Sequence, residues 1–380
     1  MSSITPIPDA DPTLTIGVLG AGQLGRMLAL AGVPLGYRFV FVDPSPGAPA
    51  AAVGEQIACG YTDPIGRAAL AACRVVTYEF ESVPVEAAEE LANRVPVFPP
   101  PMALRVAQDR LFEKSCFRTL GIGTAPFEAV DSLDDLRRAV ANLGLPAVLK
   151  TRRLGYDGKG QFVIERSEDV ALAWDAVGRT ASILEGFVRF ERELSLIAVR
   201  GRDGQCVFYP LVENHHRQGI LRKTLAPAPG LTSELQDTAT AYGIRILDHL
   251  DYVGVLAIEL FQIGPALLVN EIAPRVHNSG HYSIEGSRTS QFENHLRAIL
   301  GLPLGDPSAL SPSCMLNLVG ALPDSSAVLQ IPDTHLHLYG KVPRPGRKVG
   351  HITVRGKDDA ELAARVVALQ ALPGVCDSDS

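Results

Sequence analysis

Between Leu14 and Asn93 the chain alternates apolar runs with amphipathic stretches, and that order admits few folds. The runs Leu14–Gly20, Arg38–Val42 and Arg74–Glu79 read as strands, and Gln23–Leu35, Pro64–Ala72 and Val85–Asn93 read as helices. Strand–helix–strand order at this spacing predicts a parallel sheet with helices on both faces. The residues before this pattern, 1–13, are polar and Pro-containing and read as a loose arm.

The Pro-rich run Phe98-Pro99-Pro100-Pro101 marks a boundary. A helix is expected from Met102 to about Leu120, ending at Gly121. Beyond it the texture changes to short strands (Ala147–Thr151, Phe162–Glu165, Ser182–Val188, Leu194–Val199, Val207–Val212) separated by glycine-rich loops. A helix over about Thr232–Leu250, two strands around Gly264-Pro265 and a helix over Ser290–Leu300 follow, and the last 75 or so residues are Pro-rich with short strands. The expected division is an N-terminal Rossmann-like unit over 1–101, a central unit over 102–305 and a small β-rich unit over 306–380, a mixture of α/β and α+β.

With 380 residues the chain can bury a large core without disulfides or structural metals. The six cysteines are scattered with no metal-ligand spacing, which suits a reducing compartment. A net charge of −7 argues against DNA or RNA as a partner, but not against a small phosphorylated ligand that needs only a few local cations. No basic segment precedes the first apolar run, and the longest apolar stretch, Val253 to Val269, is broken by Glu259 and Gln262. A cytoplasmic protein without membrane attachment is expected. Of the 35 cations only seven are lysines (Lys114, Lys150, Lys159, Lys223, Lys341, Lys348 and Lys357), so each lysine carries unusual information.

Gly20-Ala21-Gly22-Gln23-Leu24-Gly25 follows a strand and opens a helix, and Asp43 stands 18 residues after Gly25. That is the dinucleotide fingerprint: glycines for close approach, a helix N-terminus for phosphate, a carboxylate for a ribose hydroxyl. The same geometry serves a sugar phosphate, or no ligand at all if the glycines only permit a tight turn, so NAD is one reading among three.

Glu259 and Glu271 each lie six residues from Pro265, so a hairpin turning there sets them opposite each other. Opposed like charges destabilise a sheet. Two carboxylates in an otherwise apolar hairpin ask for a cation, and oxygen ligands suit Mg²⁺ held together with phosphates, with Asn270 able to add a carbonyl. Lys150 ends a strand, from where an ammonium can reach a phosphate. The loop Gly155-Tyr156-Asp157-Gly158-Lys159-Gly160-Gln161 can close over phosphates with backbone N–H donors, although it lacks the P-loop pattern. Glu185-Gly186-Phe187-Val188 followed by Glu193 offers an extended edge for an adenine and a carboxylate for ribose hydroxyls.

With these pieces in order, the chain resembles the ATP-grasp superfamily and, within it, the 5-(carboxyamino)imidazole ribonucleotide synthases. The most specific segments are Gly17–Met27, Thr77-Tyr78-Glu79-Phe80-Glu81, Gln108-Asp109-Arg110, Gly155–Gln161, Asn270–His281, Tyr339-Gly340-Lys341 and Gly346–His351, spread from about Thr15 to Ile352. The resemblance implies ATP bound between two α+β halves. Arg110, Lys150, Gly155, Tyr156, Asp157, Gly158, Lys159, Gly160, Gln161, Glu185, Gly186, Phe187, Val188, Glu193, His216, Asn270 and Glu271 occupy the nucleotide positions. Glu259 and Glu271 are implied ligands of Mg²⁺ or Mn²⁺.

The implied acceptor is 5-aminoimidazole ribonucleotide, with Gln23, Leu24, Tyr156, Arg275, His277, Lys341, Arg347 and Lys348 facing it. In the implied reaction bicarbonate attacks the γ-phosphoryl of ATP to give carboxyphosphate, and carboxyphosphate or the CO₂ released from it carboxylates the aminoimidazole amine. Asp157, Arg275, His277 and Lys341 are the catalytic candidates, with Asp157 and His277 handling the amine proton or His277 only orienting. A homodimer is expected on the family's habit. A different ATP-grasp ligase, such as a formate-dependent glycinamide ribonucleotide transformylase, an NAD-dependent oxidoreductase and a catalytically silent ATP-binding protein are the competing readings.

Overall fold

The computed structural model describes residues 14–155 and 160–375. The first sheet is parallel throughout, in the order Glu55–Ile57, Arg38–Val42, Thr15–Leu19, Val75–Tyr78. The helix opened by the glycine loop runs over Gln23–Gly32 and passes into a 3₁₀ turn at Val33–Leu35, because Pro34 has no N–H to continue the ladder.

In place of the single helix expected over Met102–Leu120, the chain forms two, Pro101–Ala107 and Arg110–Thr119. The break is at Asp109, whose carboxylate accepts the Leu111 and Phe112 N–H groups at 3.1 and 3.4 Å and so caps the second helix. Such a cap contributes about 1 kcal/mol. Gln108 fixes the joint by donating to the carbonyls of Glu81 and Val83 at 2.7 and 2.6 Å. Arg110 is thereby placed at a rigid helix start.

A four-stranded antiparallel sheet follows, in the order Phe127–Val130, Ser182–Gly186, Ala147–Thr151, Gln161–Ile164. Its core includes Leu136, Leu149, Trp174 and Leu184. The third sheet is antiparallel and nine-stranded, with Ala266–Ala273, Gly254–Ile263 and Arg192–Arg200 at one end and Thr334–Leu338 at the other. The run expected as one strand over Val207–Val212 divides into Cys206–Phe208 and Val212–Arg217, with Pro210 between them unable to donate to a ladder.

Strands from the C-terminal region, Ser313–Val319, Lys348–Arg355 and Thr334–Leu338, extend this same sheet, and a helix over Asp359–Gln370 packs behind them through Leu362, Val366 and Leu369. The overall architecture is therefore an α/β mixture with a parallel N-terminal sheet and antiparallel sheets after it.

The first and third sheets share one core. Ile16, Leu28 and Phe39 pack with Val255, Leu296 and Ile299, the last two on the helix Gln291–Leu300. His295 on that helix is a buried bolt: its Nδ1 accepts the Val255 N–H at 3.1 Å and its Nε2 meets Thr77 Oγ1 at 2.9 Å. Burial pushes its pKa down to about 3, so it acts as a neutral hydrogen-bonding group. The strand ends that carry the candidate acids and bases are thus held on one rigid frame.

Candidate functional site

The hairpin turns at Gly264-Pro265 with Gly264 at φ +55°, the left-handed conformation that suits the first residue of a two-residue loop. From the turn the pairing runs Ile263↔Ala266 to Leu260↔Val269, then shifts by one so that Glu259 pairs with Glu271. Asn270 is the extra residue. The expected opposition of the two glutamates is present, yet its cause is this bulge: in an uninterrupted ladder Glu259 would face Asn270.

Burial and the neighbouring Glu271 push the Glu259 pKa up to about 8. Burial acts on Glu271 in the same direction, but Arg110, Lys150 and Lys114 outweigh it and hold that carboxyl below its ordinary range. Each carboxylate leans on a different base, Glu271 Oε2 on Arg110 Nη1 at 3.0 Å and Glu259 Oε1 on His277 Nε2 at 3.3 Å. Two facing carboxylates, Glu259 mostly enclosed and Glu271 partly open, are an all-oxygen donor set that fits a hard divalent cation. Among the described residues no group of three or more His, Cys, Asp and Glu side chains forms a metal cage.

The cations converge on the same place. Arg110 Nη2 also donates to the Gly155 carbonyl at 3.3 Å, at the edge of the second glycine loop. Lys150 Nζ donates to Glu185 Oε2 at 3.0 Å, and Lys114 Nζ lies 3.5 Å from the same oxygen. The second glycine loop is closed at its base, where Thr151 N–H donates to the Gly160 carbonyl at 2.8 Å. Gly160 has φ +70°, and a Cβ there would come within 2.7 Å of Thr151 Oγ1. Tyr156, Asp157, Gly158 and Lys159 lie outside the described residues. Gln161 begins the return strand, opposite Lys150.

Glu185 and Gly186 end the strand Ser182–Gly186, and Phe187, half-exposed, continues it by donating its N–H to the Pro146 carbonyl at 3.2 Å. Val188 follows beyond the strand end. On the facing sheet Glu193 pairs with His216, Oε2 to Nδ1 2.6 Å, and Phe261 sits opposite Glu193 on the strand that carries Glu259. His216 is raised above its ordinary pKa by Glu193 and Glu259 against the opposing effect of burial, its largest influence.

At the first glycine loop the structure changes the expectation. The N–H groups are not free: Gly22 donates to Glu79 Oε1 at 2.7 Å, and Leu24 and Gly25 to Glu79 Oε2 at 3.1 Å each. A Cβ on Gly22 would lie 2.6 Å from Glu79 Oε1, so this glycine makes room for a carboxylate of the chain itself. Asp43 is likewise engaged, accepting the N–H groups of Ala21 at 3.0 Å and Ser45 at 2.8 Å. A dinucleotide pyrophosphate would find its donors taken, which removes the physical basis of the NAD reading.

Around this loop gather the bases expected to meet a ribonucleotide. Lys341 donates to Gln23 Oε1, and Arg275 forms an ion pair with Glu81. Burial lowers the Lys341 pKa, with Glu79 opposing and Arg347 and Lys348 reinforcing the shift. Arg347 turns back to the Val342 carbonyl at 3.2 Å. The charge of Lys348 is felt at His216, Glu259, His277 and Lys341. His277 Nδ1 accepts the Ser279 N–H at 3.3 Å, which leaves the ring proton on Nε2, toward Glu259. Burial first, then Arg275 and Lys348, push its pKa well below the ordinary value.

Reading the sequence missed Glu79 and the pair Glu113 and Lys114 as members of the site. Arg110, Glu113 and Lys114 share one helical face. Glu113 Oε1 accepts the Ile272 N–H at 2.7 Å beside Glu271, and its pKa is pushed up to about 8 by burial and Glu271. The available signal was the scarcity of lysine together with three charges at helical spacing.

Three family profiles match in succession: the ribonucleotide synthetase preATP-grasp domain over residues 13–108, the ATP-grasp domain over 115–292 and the phosphoribosylaminoimidazole carboxylase C-terminal domain over 313–365. The N5-carboxyaminoimidazole ribonucleotide synthase of Pseudomonas aeruginosa is 54% identical over 360 residues, covering 94% of this chain and 99% of the relative. The crystal structure of N5-carboxyaminoimidazole ribonucleotide synthetase from Thermus thermophilus superposes with a TM-score of 0.92 at 54% identity, covering 96% of this chain and all of that one. The Aspergillus clavatus N5-carboxyaminoimidazole synthase, solved with ADP and 5-aminoimidazole ribonucleotide, superposes with a TM-score of 0.86 at 33% identity, covering 93% of this chain and 96% of that one.

Proposed function

The chain belongs to the N5-carboxyaminoimidazole ribonucleotide synthase family, and on that premise we propose that the assembled site divides into an ATP half and a ribonucleotide half. The activity is that of an ATP-dependent, ADP-forming ligase of the ATP-grasp type. It carboxylates the amine of 5-aminoimidazole ribonucleotide with bicarbonate, giving 5-(carboxyamino)imidazole ribonucleotide, ADP and phosphate in purine biosynthesis. The observation that carries the division is the opposed pair Glu259 and Glu271: Arg110 bridges Glu271 to the second glycine loop, and Glu259 meets His277, whose neighbour Arg275 pairs with Glu81 while Lys341 reaches Gln23 of the first loop.

In the ATP half, Glu259 and Glu271 hold Mg²⁺ or Mn²⁺ with Asn270 beside them, and the metal neutralises triphosphate charge when bound. Arg110, Lys150 and the loop 155–161 embrace the phosphates, the edge Glu185–Val188 takes the adenine, and Glu193 with His216 takes the ribose side. In the ribonucleotide half, Gln23, Leu24, Tyr156, Arg347 and Lys348 bind and position the acceptor with Arg275, His277 and Lys341. The catalytic roles fall to Asp157, Arg275, His277 and Lys341. Because His277 carries its proton on Nε2, it suits a donor that orients a substrate oxygen; Asp157 is then the group to receive the amine proton.

A bicarbonate oxygen attacks the γ-phosphorus in line, the bond to ADP breaks, and the carboxyphosphate formed passes its carboxyl group to the amine while phosphate leaves. The chain's part is positioning and charge compensation. Closure of the loop 155–161 keeps water from the labile intermediate. Homodimeric assembly, a cytoplasmic location and the division 1–101, 102–305 and 306–380 belong to the same proposal, supported by the family membership and, for the location, by the finding that no helix among the described residues is long and apolar enough to cross a membrane. With ¹⁸O-bicarbonate, label should appear in the phosphate product; unlabelled phosphate would rule out the carboxyphosphate route.

A further inference from the structure

Lys114 has no part in the roles assigned above, yet its side chain is only 1% exposed. Enclosing an ammonium carries a large desolvation cost, so its surroundings need a reason. It donates to Thr124 Oγ1 at 3.0 Å and to the Val269 carbonyl at 3.5 Å, and lies 3.5 Å from Glu185 Oε2. Lys150 reaches that same oxygen at 3.0 Å. The other oxygen, Glu185 Oε1, is buried and has no hydrogen-bond partner among the described residues.

Two ammonium groups on one carboxylate oxygen and none on the other is a lopsided arrangement. An ionised carboxylate only accepts hydrogen bonds, so the group missing at Oε1 is a donor. Burial acts to raise the Glu185 pKa, but Lys114 and Lys150 outweigh it and hold the carboxyl below its ordinary range. Once Lys150 turns to the triphosphate, Lys114 is the cation that stays on Glu185. Through Val269 it also grips the strand just before the bulge at Asn270 that sets Glu271.

We propose that Lys114 is the positioning residue for base selection. It holds the Glu185 carboxylate so that Oε1 accepts the exocyclic amine of adenine and rejects a 6-oxopurine, and it couples that acceptor to the strand bearing Glu271. The inference rests on the reading of this half-site as the ATP site. A lysine that merely bolts the two sheets together would stabilise the fold without favouring one base over another.

The test is steady-state turnover with ATP and with inosine triphosphate, the other substrates saturating, for the wild type, Lys114→Met, Lys114→Arg and Glu185→Gln, with a thermal melt of each. The wild type should prefer ATP by about 100-fold or more in kcat/KM, since a site built around a hydrogen bond rejects the analogue lacking it. Lys114→Met should lose about tenfold or more of that preference, chiefly through a higher KM for ATP with the KM for ribonucleotide unchanged. Lys114→Arg should keep most of it, and Glu185→Gln, whose amide offers a donor as well as an acceptor, should narrow it.

A folded Lys114→Met enzyme whose ATP preference is unchanged, even with kcat reduced for both nucleotides, overturns the inference. Should Lys114→Met fail to fold, the other two variants decide: an unchanged preference in Glu185→Gln overturns it, and a collapsed one beside a retained preference in Lys114→Arg supports it. A wild type that does not turn over ATP at all would overturn the ATP reading itself, a result distinct from either.

Discussion

At the first glycine loop, three backbone N–H groups at a helix N-terminus meet the Glu79 carboxylate, so the charge and its donors satisfy each other inside the chain. At the glutamate hairpin, Glu259 and Glu271 face each other, Glu271 leaning on Arg110 and Glu259 on His277. The first region carries the more familiar motif and the second carries the imbalance. A glycine pattern reports how closely something can approach a backbone; what approaches has to be found from the charges left unmatched.

The widest separation between the two regions is expected in activity. Glu271→Gln should lower kcat by roughly 10²-fold or more while leaving the melting temperature close to that of the wild type, as for loss of a group that stabilises charge in the transition state. Full activity in this variant would remove the metal assignment. Chelation of divalent cations should abolish turnover of the wild type, with recovery on adding Mg²⁺ or Mn²⁺; turnover that persists in excess chelator would place the charge compensation on the chain's own cations alone.

The first loop should respond in stability before it responds in chemistry. Glu79→Ala strands three enclosed N–H groups and should cost about 3 kcal/mol in denaturant unfolding, and Glu79→Gln, which keeps one acceptor, about half of that. A Glu79→Ala enzyme as stable as the wild type would mean the three hydrogen bonds do not hold the loop. The smallest effect is expected for Gly22→Ala, whose Cβ would press on Glu79 Oε1 from 2.6 Å. Overpacking of that kind costs about 1–3 kcal/mol, and a neutral result would show that the carboxylate has room to shift.

Much of this organisation was legible in the sequence. The alternation from Leu14 to Asn93 requires a parallel sheet, and one is present. The opposition of Glu259 and Glu271 also followed from the chain, but for an incomplete reason: symmetry about Pro265 does not include the bulge at Asn270, and a bulge leaves no sign in local composition. Gln108-Asp109-Arg110 stood out as a segment of the resemblance but not as a helix break, because a cap is decided by which side chain reaches two N–H groups in space.

Glu79 and Lys114, though both stood out in the sequence, were given no role for a related reason. Their partners are far along the chain, at Gly22 and Glu185, and the pairing exists only once the sheets have packed. Long-range compensation of buried charge is a property of the assembled core, whereas strand and helix periodicity is local. The C-terminal strands illustrate the same limit, since their short Pro-rich pattern does not reveal that they extend the central sheet.

The most direct measurement is the rate of ADP release from MgATP with bicarbonate and 5-aminoimidazole ribonucleotide supplied together and each omitted in turn. Strong stimulation that requires both is the predicted result and places ATP use and amine carboxylation in one site. ADP release indifferent to the ribonucleotide would contradict that account and detach the cluster of Arg275, His277 and Lys341 from the acceptor.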